Sequence, residues 1–135
     1  MSERLTNAQT LSDLRQTIGT RSKIIASTRD LTAATGSVAY TGAGFKPSKI
    51  IAFGNLNFSI GSFGFSDSAR TVRCVHNTGG GSSFYGSVSL LLFETTSNNY
   101  QACTIDSYDS DGFTLSWVKT NTPTGTANLF FLCLG

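Results

Sequence analysis

The only histidine, His76, stands two residues after Cys74 in TVRCVH, so on a strand the two side chains share one face. A Cys–His pair on one face is the arrangement that activates a thiol nucleophile. That chemistry also needs surroundings that favour the thiolate and a third group that orients the imidazole. Nothing in residues 71–76 marks either, and no catalytic pair is expected there. Asp106, Asp109, Asp111 and Gly112 trace the outline of a calcium loop. The full pattern requires an acidic or amide ligand where Ser107 stands and a bidentate carboxylate where Val118 stands. The segment therefore reads as a hairpin turn, with Asp opening it and Gly taking the position that needs conformational freedom. Glu94 has no marked carboxylate partner for glycoside hydrolysis, which requires two acids at a set separation. Gly79-Gly80-Gly81-Ser82-Ser83 is not followed by the Lys-Ser/Thr of a phosphate loop and opens no helix, so it reads as a mobile hairpin tip. Catalytic residues, metal ligands and cofactors are all expected to be absent.

Cys74, Cys103 and Cys133 lie roughly thirty residues apart, without the short spacing of a zinc knuckle. Their odd number argues against a complete disulfide framework. Each is flanked by strand-forming residues, and buried free thiols in a reducing compartment are the expected state. Aromatic residues are dense: Phe58, Phe63, Phe65, Phe84, Tyr85, Tyr100, Tyr108 and Trp117. Most are expected in the core. Tyr85, Tyr100 and Trp117 combine a ring with a polar handle, which makes them the candidates to stack on a sugar or to contact a neighbouring subunit. Base-stacking platforms come with strongly basic grooves. A formal net charge of +2 does not supply one, so nucleic acid is not an expected partner. No apolar run approaches the roughly eighteen residues of a membrane span. MSERLTNAQT lacks the apolar stretch of a signal peptide, so synthesis and retention in a cytosol are expected.

The elements that must position these residues fall into two parts. Residues 1–22 hold no aromatic and no Val, and they carry most of the imbalance of charge through Arg4, Arg15 and Arg21. Leu11, Leu14 and Ile18 recur at the spacing of one helical face, with Thr10 and Asp13 as a capping pair and Gly19 as a stop. The spacing predicts a short helix over 10–18. Three apolar residues cannot hold such a helix in water, so the stripe must dock on something. From residue 23 onward the texture is strand and turn. KIIASTR, GSVAYT, SKIIAFG, FSIGSFGFS, TVRCVH, SFYGSVSLLLFET, QACTIDSY, FTLSWVK and ANLFFLCLG are separated by Gly, Pro, Asn and Asp. SKIIAFG, apolar without a break, reads as a central strand. No helices alternate with the strands, which excludes a βαβ architecture. The expected fold is all-β: an antiparallel sandwich or jelly roll of about eight or nine strands over 23–135, preceded by a helical arm over 1–22.

GSVAYTGAGFKPSKIIAFG (36–54), GFSDS (64–68), DSYDSDGFTLSW (106–117) and the closing LFFLCLG resemble a small β-sandwich module of tailed-phage virion proteins. The resemblance spans roughly residues 36–135. Similar modules occur in head decoration (cement) proteins and in tail or fibre tips, where they act as lectin-like domains. The resemblance implies no catalytic residues. The arm favours the first use: Leu11, Leu14, Arg15, Ile18 and Arg21 are expected to contact the major capsid protein. The implied protein is a homo-oligomer, dimer or trimer, on the exterior of the virion capsid and assembled in the host cytoplasm. The alternative is a carbohydrate-binding receptor module of a tail, working through Tyr85, Tyr100 and Trp117.

Overall fold

The computed structural model describes residues 21–79 and 83–135. Ten antiparallel strands form two sheets: β1 (Ser22–Asp30), β2 (Gly36–Thr41), β3 (Lys49–Leu56), β4 (Ile60–Ser66), β5 (Val72–Asn77), β6 (Phe84–Ser87), β7 (Leu91–Thr96), β8 (Asn99–Asp109), β9 (Gly112–Thr120) and β10 (Thr126–Leu134). The six-stranded sheet runs β1-β10-β3-β4-β5-β6, and the four-stranded sheet runs β2-β9-β8-β7. Among the described residues there is no helix. The expected helix over 10–18 lies outside them, as do Leu11, Leu14, Arg15 and Ile18, and Gly80 to Ser82 of the glycine-rich tip.

Alternation sets which side chains meet between the sheets. Phe113, Leu115 and Trp117 on β9 are fully buried, while Val118 points out and is exposed. Ile50 and Ala52 on β3 and Leu129, Phe131 and Cys133 on β10 face them from the other sheet. Tyr40, Phe113 and Phe131 form an aromatic centre, with ring centroids 5.0–5.2 Å apart. These contacts combine the burial of large apolar areas with offset and edge-on ring geometry. Gly64 on β4 packs directly against the bend at residues 88–90. A Cβ there would collide with the Leu90 carbonyl oxygen and press on Cys74.

Three sequence expectations need correction and one is met. The strands number ten, because SFYGSVSLLLFET divides: residues 88–90 bend the chain from β6 in one sheet to β7 in the other. The first strand includes Ser22, whose backbone pairs with Leu134, so the sheet starts one residue before the expected boundary. SKIIAFG is a central strand as expected, with one face covered and Ile51 and Phe53 exposed on the other. Finally, Phe58, Phe63, Phe65, Phe84 and Tyr85 are not core residues; all are exposed. Phe63 and Phe65 fall on the outer phase of β4, and Phe58 lies in the preceding turn.

Candidate functional site

The titratable residues weighed for chemistry are held apart or held neutral. Cys74 and His76 do share the inner face of β5. Burial pushes the Cys74 thiol up, against hydrogen bonds from serines that favour the thiolate. Burial pushes the His76 imidazole down from its ordinary 6.5, with the Glu94 carboxylate opposing. Both groups are thus favoured in their neutral forms, the reverse of an activated thiolate–imidazolium pair. Cys103 and Cys133 are buried free thiols, and burial pushes Cys133 up to about 11. The Asp109 carboxylate accepts hydrogen bonds from the Ser107 and Thr114 hydroxyls, which hold it below the usual carboxylate range. The Asp111 carboxylate accepts from the backbone N–H groups of Gly42 and Gly44 at 3.1 and 2.7 Å, tying the β2–β3 loop to the β8–β9 hairpin. These acids do the work of turns.

The three ring candidates separate into three environments. Trp117 is in the core, a correction to its expected contact role: β9 turns the odd-numbered positions inward, and its indole Nε1 donates to the Tyr40 hydroxyl. The Arg29 guanidinium lies over the indole, 5.1 Å from its centroid, and its Nε donates to the buried Gln101 amide. Gln101 passes hydrogen bonds on to the carbonyls of Leu31 and Ala33. Tyr100 is half-buried on the outer face of the four-stranded sheet, opposite Glu94 and Thr120. Tyr85 is 52% exposed at the edge of the sandwich, its ring 6.0 Å from that of His76. There it borders a cleft of about 380 Å³, shared with Thr78, Gly79, Glu94 and Ser97. The Nδ1 atom of His76 is buried without a hydrogen-bond partner. A tyrosine face beside a carboxylate and hydroxyls is suited to a neutral polar ring. Glu94, weighed in the sequence only as a hydrolytic acid, is brought here by the fold; its pairing with Tyr100 and its approach to Tyr85 exist only across strands.

The largest chemical feature is apolar, on the outer face of the six-stranded sheet. Strand register lines Ile24, Leu132, Ile51 and Phe65 into one row, ending at Arg73. The adjacent row is Ala26, Phe130, Phe53, Phe63 and Val75. The rings of Phe53 and Phe130 are 6.5 Å apart. Ile24, Phe53, Phe63, Phe65, Val75 and Phe130 are each 45–64% exposed. At about 150–250 Å² per large side chain, the two rows leave on the order of 600 Å² of apolar surface in water. The sequence signal for this face was the unbroken apolar character of SKIIAFG and ANLFFLCLG, which buries one phase of each strand and leaves the other facing outward.

The arm joins the sheet at the margin of this face. The Arg21 carbonyl accepts from the Gly135 N–H at 3.1 Å, and its guanidinium stands 5.9 Å from the Phe45 ring. No family model, curated protein or solved structure matches this chain.

Proposed function

We propose that this protein is a non-enzymatic structural component of a phage virion, a capsid decoration (cement) protein that binds the assembled shell of major capsid protein from outside. On this reading the two-sheet body is a jelly-roll-like sandwich and residues 1–22 are a helical docking arm. One observation carries the reading: Leu11, Leu14 and Ile18 recur at the spacing of one helical face, beside Arg15 and Arg21, in a stripe too short to hold a helix in water by itself and so in need of a surface to dock on. An apolar stripe ordered against another subunit adds contact area that a small body lacks. Binding to the closed shell but not to its open subunits would stabilise the shell by mass action.

The test is removal of residues 1–20, which spares the Ser22–Leu134 pairing. The truncated protein should retain the far-UV and near-UV circular dichroism of its β-body and lose occupancy on purified particles. Normal decoration by the truncated form would refute the reading. A second reading, a lectin-like tail-tip module, is favoured by the Tyr85 cleft. It predicts glycan binding by the isolated chain that Tyr85→Ala abolishes, and a handful of copies per particle rather than hundreds.

A further inference from the structure

We infer that the outer face of the six-stranded sheet is buried against a second copy of this chain, so that the working unit is a homo-oligomer closed through Phe53, Phe63, Phe65 and Phe130. The inference concerns the isolated chain and stands whether or not the virion reading holds.

Three observations select this occupant. The first is area. The exposed apolar surface, on the order of 600 Å², lies at the upper end of what monomers leave in water and approaches the roughly 800 Å² per partner of a stable interface. The second is composition. The centre of the face is aromatic and aliphatic, and its charged side chains are peripheral: Lys49, Asp67 and Arg73 toward one end and Asp30 at the other. Depletion of charge at the centre with aromatic enrichment is the pattern of interface cores, and it is strongest in permanent homomeric contacts. The acids of this face, Asp67 and Asp30, stand at its ends and leave the aromatic centre without charge. The third is the position of the chain ends. Ser22 pairs with Leu134, and Leu134 with Lys49, in the row next to Ile24. Ser22, where β1 begins, therefore stands on the margin of the same face, and two copies closed through it with these margins aligned would have their β1 starts side by side. Arms that start side by side would bind a repetitive surface with the gain of multivalency, and no single arm would need high affinity.

The register explains why the face can be self-complementary. Phe53 and Phe63 are directly paired across β3 and β4, near the middle of the sheet, so the bulkiest side chains form a ridge. The shallow groove beside Phe65, about 280 Å³, with Ile51, Phe63 and Leu134 on its apolar side and Lys49 and Asp67 at its rim, offers a place for a ring from another copy. Sheets that pack face to face interdigitate their side chains in this manner.

The experiment is size-exclusion chromatography with multi-angle light scattering on the full chain at micromolar concentration, beside the double variant Phe53→Asp/Phe63→Asp and a form lacking residues 1–20. The expected result is an integer multiple of the monomer mass for the full chain and the truncated form. The double variant should be monomeric, with its near-UV dichroism from Trp117 unchanged. A monomeric full chain would overturn the inference. So would a folded double variant that stays oligomeric, or dissociation on removing residues 1–20 alone, which would assign the contact to the arm. If the double variant does not fold, hydroxyl-radical footprinting of the unaltered chain decides. Phe53 and Phe63 should be protected relative to Tyr100 on the opposite sheet; equal labelling overturns the inference.

Discussion

The indole Nε1 of Trp117 donates a hydrogen bond to the hydroxyl of Tyr40 at 3.0 Å, joining β9 to β2 on the buried side of the four-stranded sheet. The pair is covered on one side by Phe113 and Phe131 and on the other by the Arg29 guanidinium. A residue that sequence reasoning offered to a ligand is thereby the anchor of the core. Trp117→Phe should keep the packing but leave the Tyr40 hydroxyl buried without a partner, a loss of about 1–3 kcal/mol. Trp117→Ala should cost about 3–5 kcal/mol through the cavity. Urea denaturation read by far-UV dichroism measures both. A smaller loss for Trp117→Ala than for Trp117→Phe would contradict the assignment.

Gln101 connects Arg29 to the carbonyls of Leu31 and Ala33 and is fully buried. Gln101→Leu has similar volume but strips the partner from Arg29 Nε and from both carbonyls. A loss of about 2 kcal/mol or more is expected, since buried donors and acceptors without partners cost more than the bond itself contributes. Hydrogen exchange of the Leu31 to Ala33 amides should quicken in the variant before global unfolding.

Gly64 faces the Leu90 carbonyl of the bend between β6 and β7, whereas a Cβ at Gly86 would meet nothing within 4 Å. Gly64→Ala should destabilise by about 1–3 kcal/mol, as overpacked sites do. Gly86→Ala should stay within about 0.5 kcal/mol of the parent. Paired thermal melts compare them, and similar melting temperatures would argue against this close contact.

His76 is favoured neutral when folded, because burial lowers its pKa below the unfolded 6.5. Between the folded and unfolded values the unfolded chain binds more protons, so stability falls as pH drops through 6.5 and is whole above it. Asp30 and Asp109, held below 3.8 by hydrogen bonds, add a second loss as pH falls through that value. Denaturation midpoints from pH 8 to pH 3 should therefore decline in two stages. His76→Gln should flatten the first stage and leave the second. A variant with the parent's full decline near pH 6 would remove His76 from the account.

Tyr85 is exposed and makes no side-chain hydrogen bond among the described residues, so Tyr85→Ala should shift the melting temperature little. Any loss of glycan binding in that variant would then report on the cleft rather than on folding.

Much of the fold was present in the local pattern. Alternation in FTLSWVK fixed Phe113, Leu115 and Trp117 on one face, with Val118 on the other, and the structure buries the first three. The Asp and Gly residues of DSDG marked a turn through local chemistry, and the β8–β9 hairpin turns there. A local pattern assigns side chains to phases of a strand, because the period of two is set by the backbone. It cannot say how many faces of a sheet are covered. The apolar run of β3 suits a strand buried on both sides, yet a second layer packs on only one. For the same reason Phe63 and Phe65, core residues by composition, stand in solvent in register with Phe53 and Ile51. The cleft of Tyr85 and Glu94 likewise joins strands of different sheets, brought together by the bend at 88–90. Sequence alone determined the all-β class, the turns and the phase of each strand, all consequences of short-range backbone geometry. Only the tertiary structure decided which phase meets the other sheet and which is left facing outward, because that choice depends on register between strands far apart in the chain.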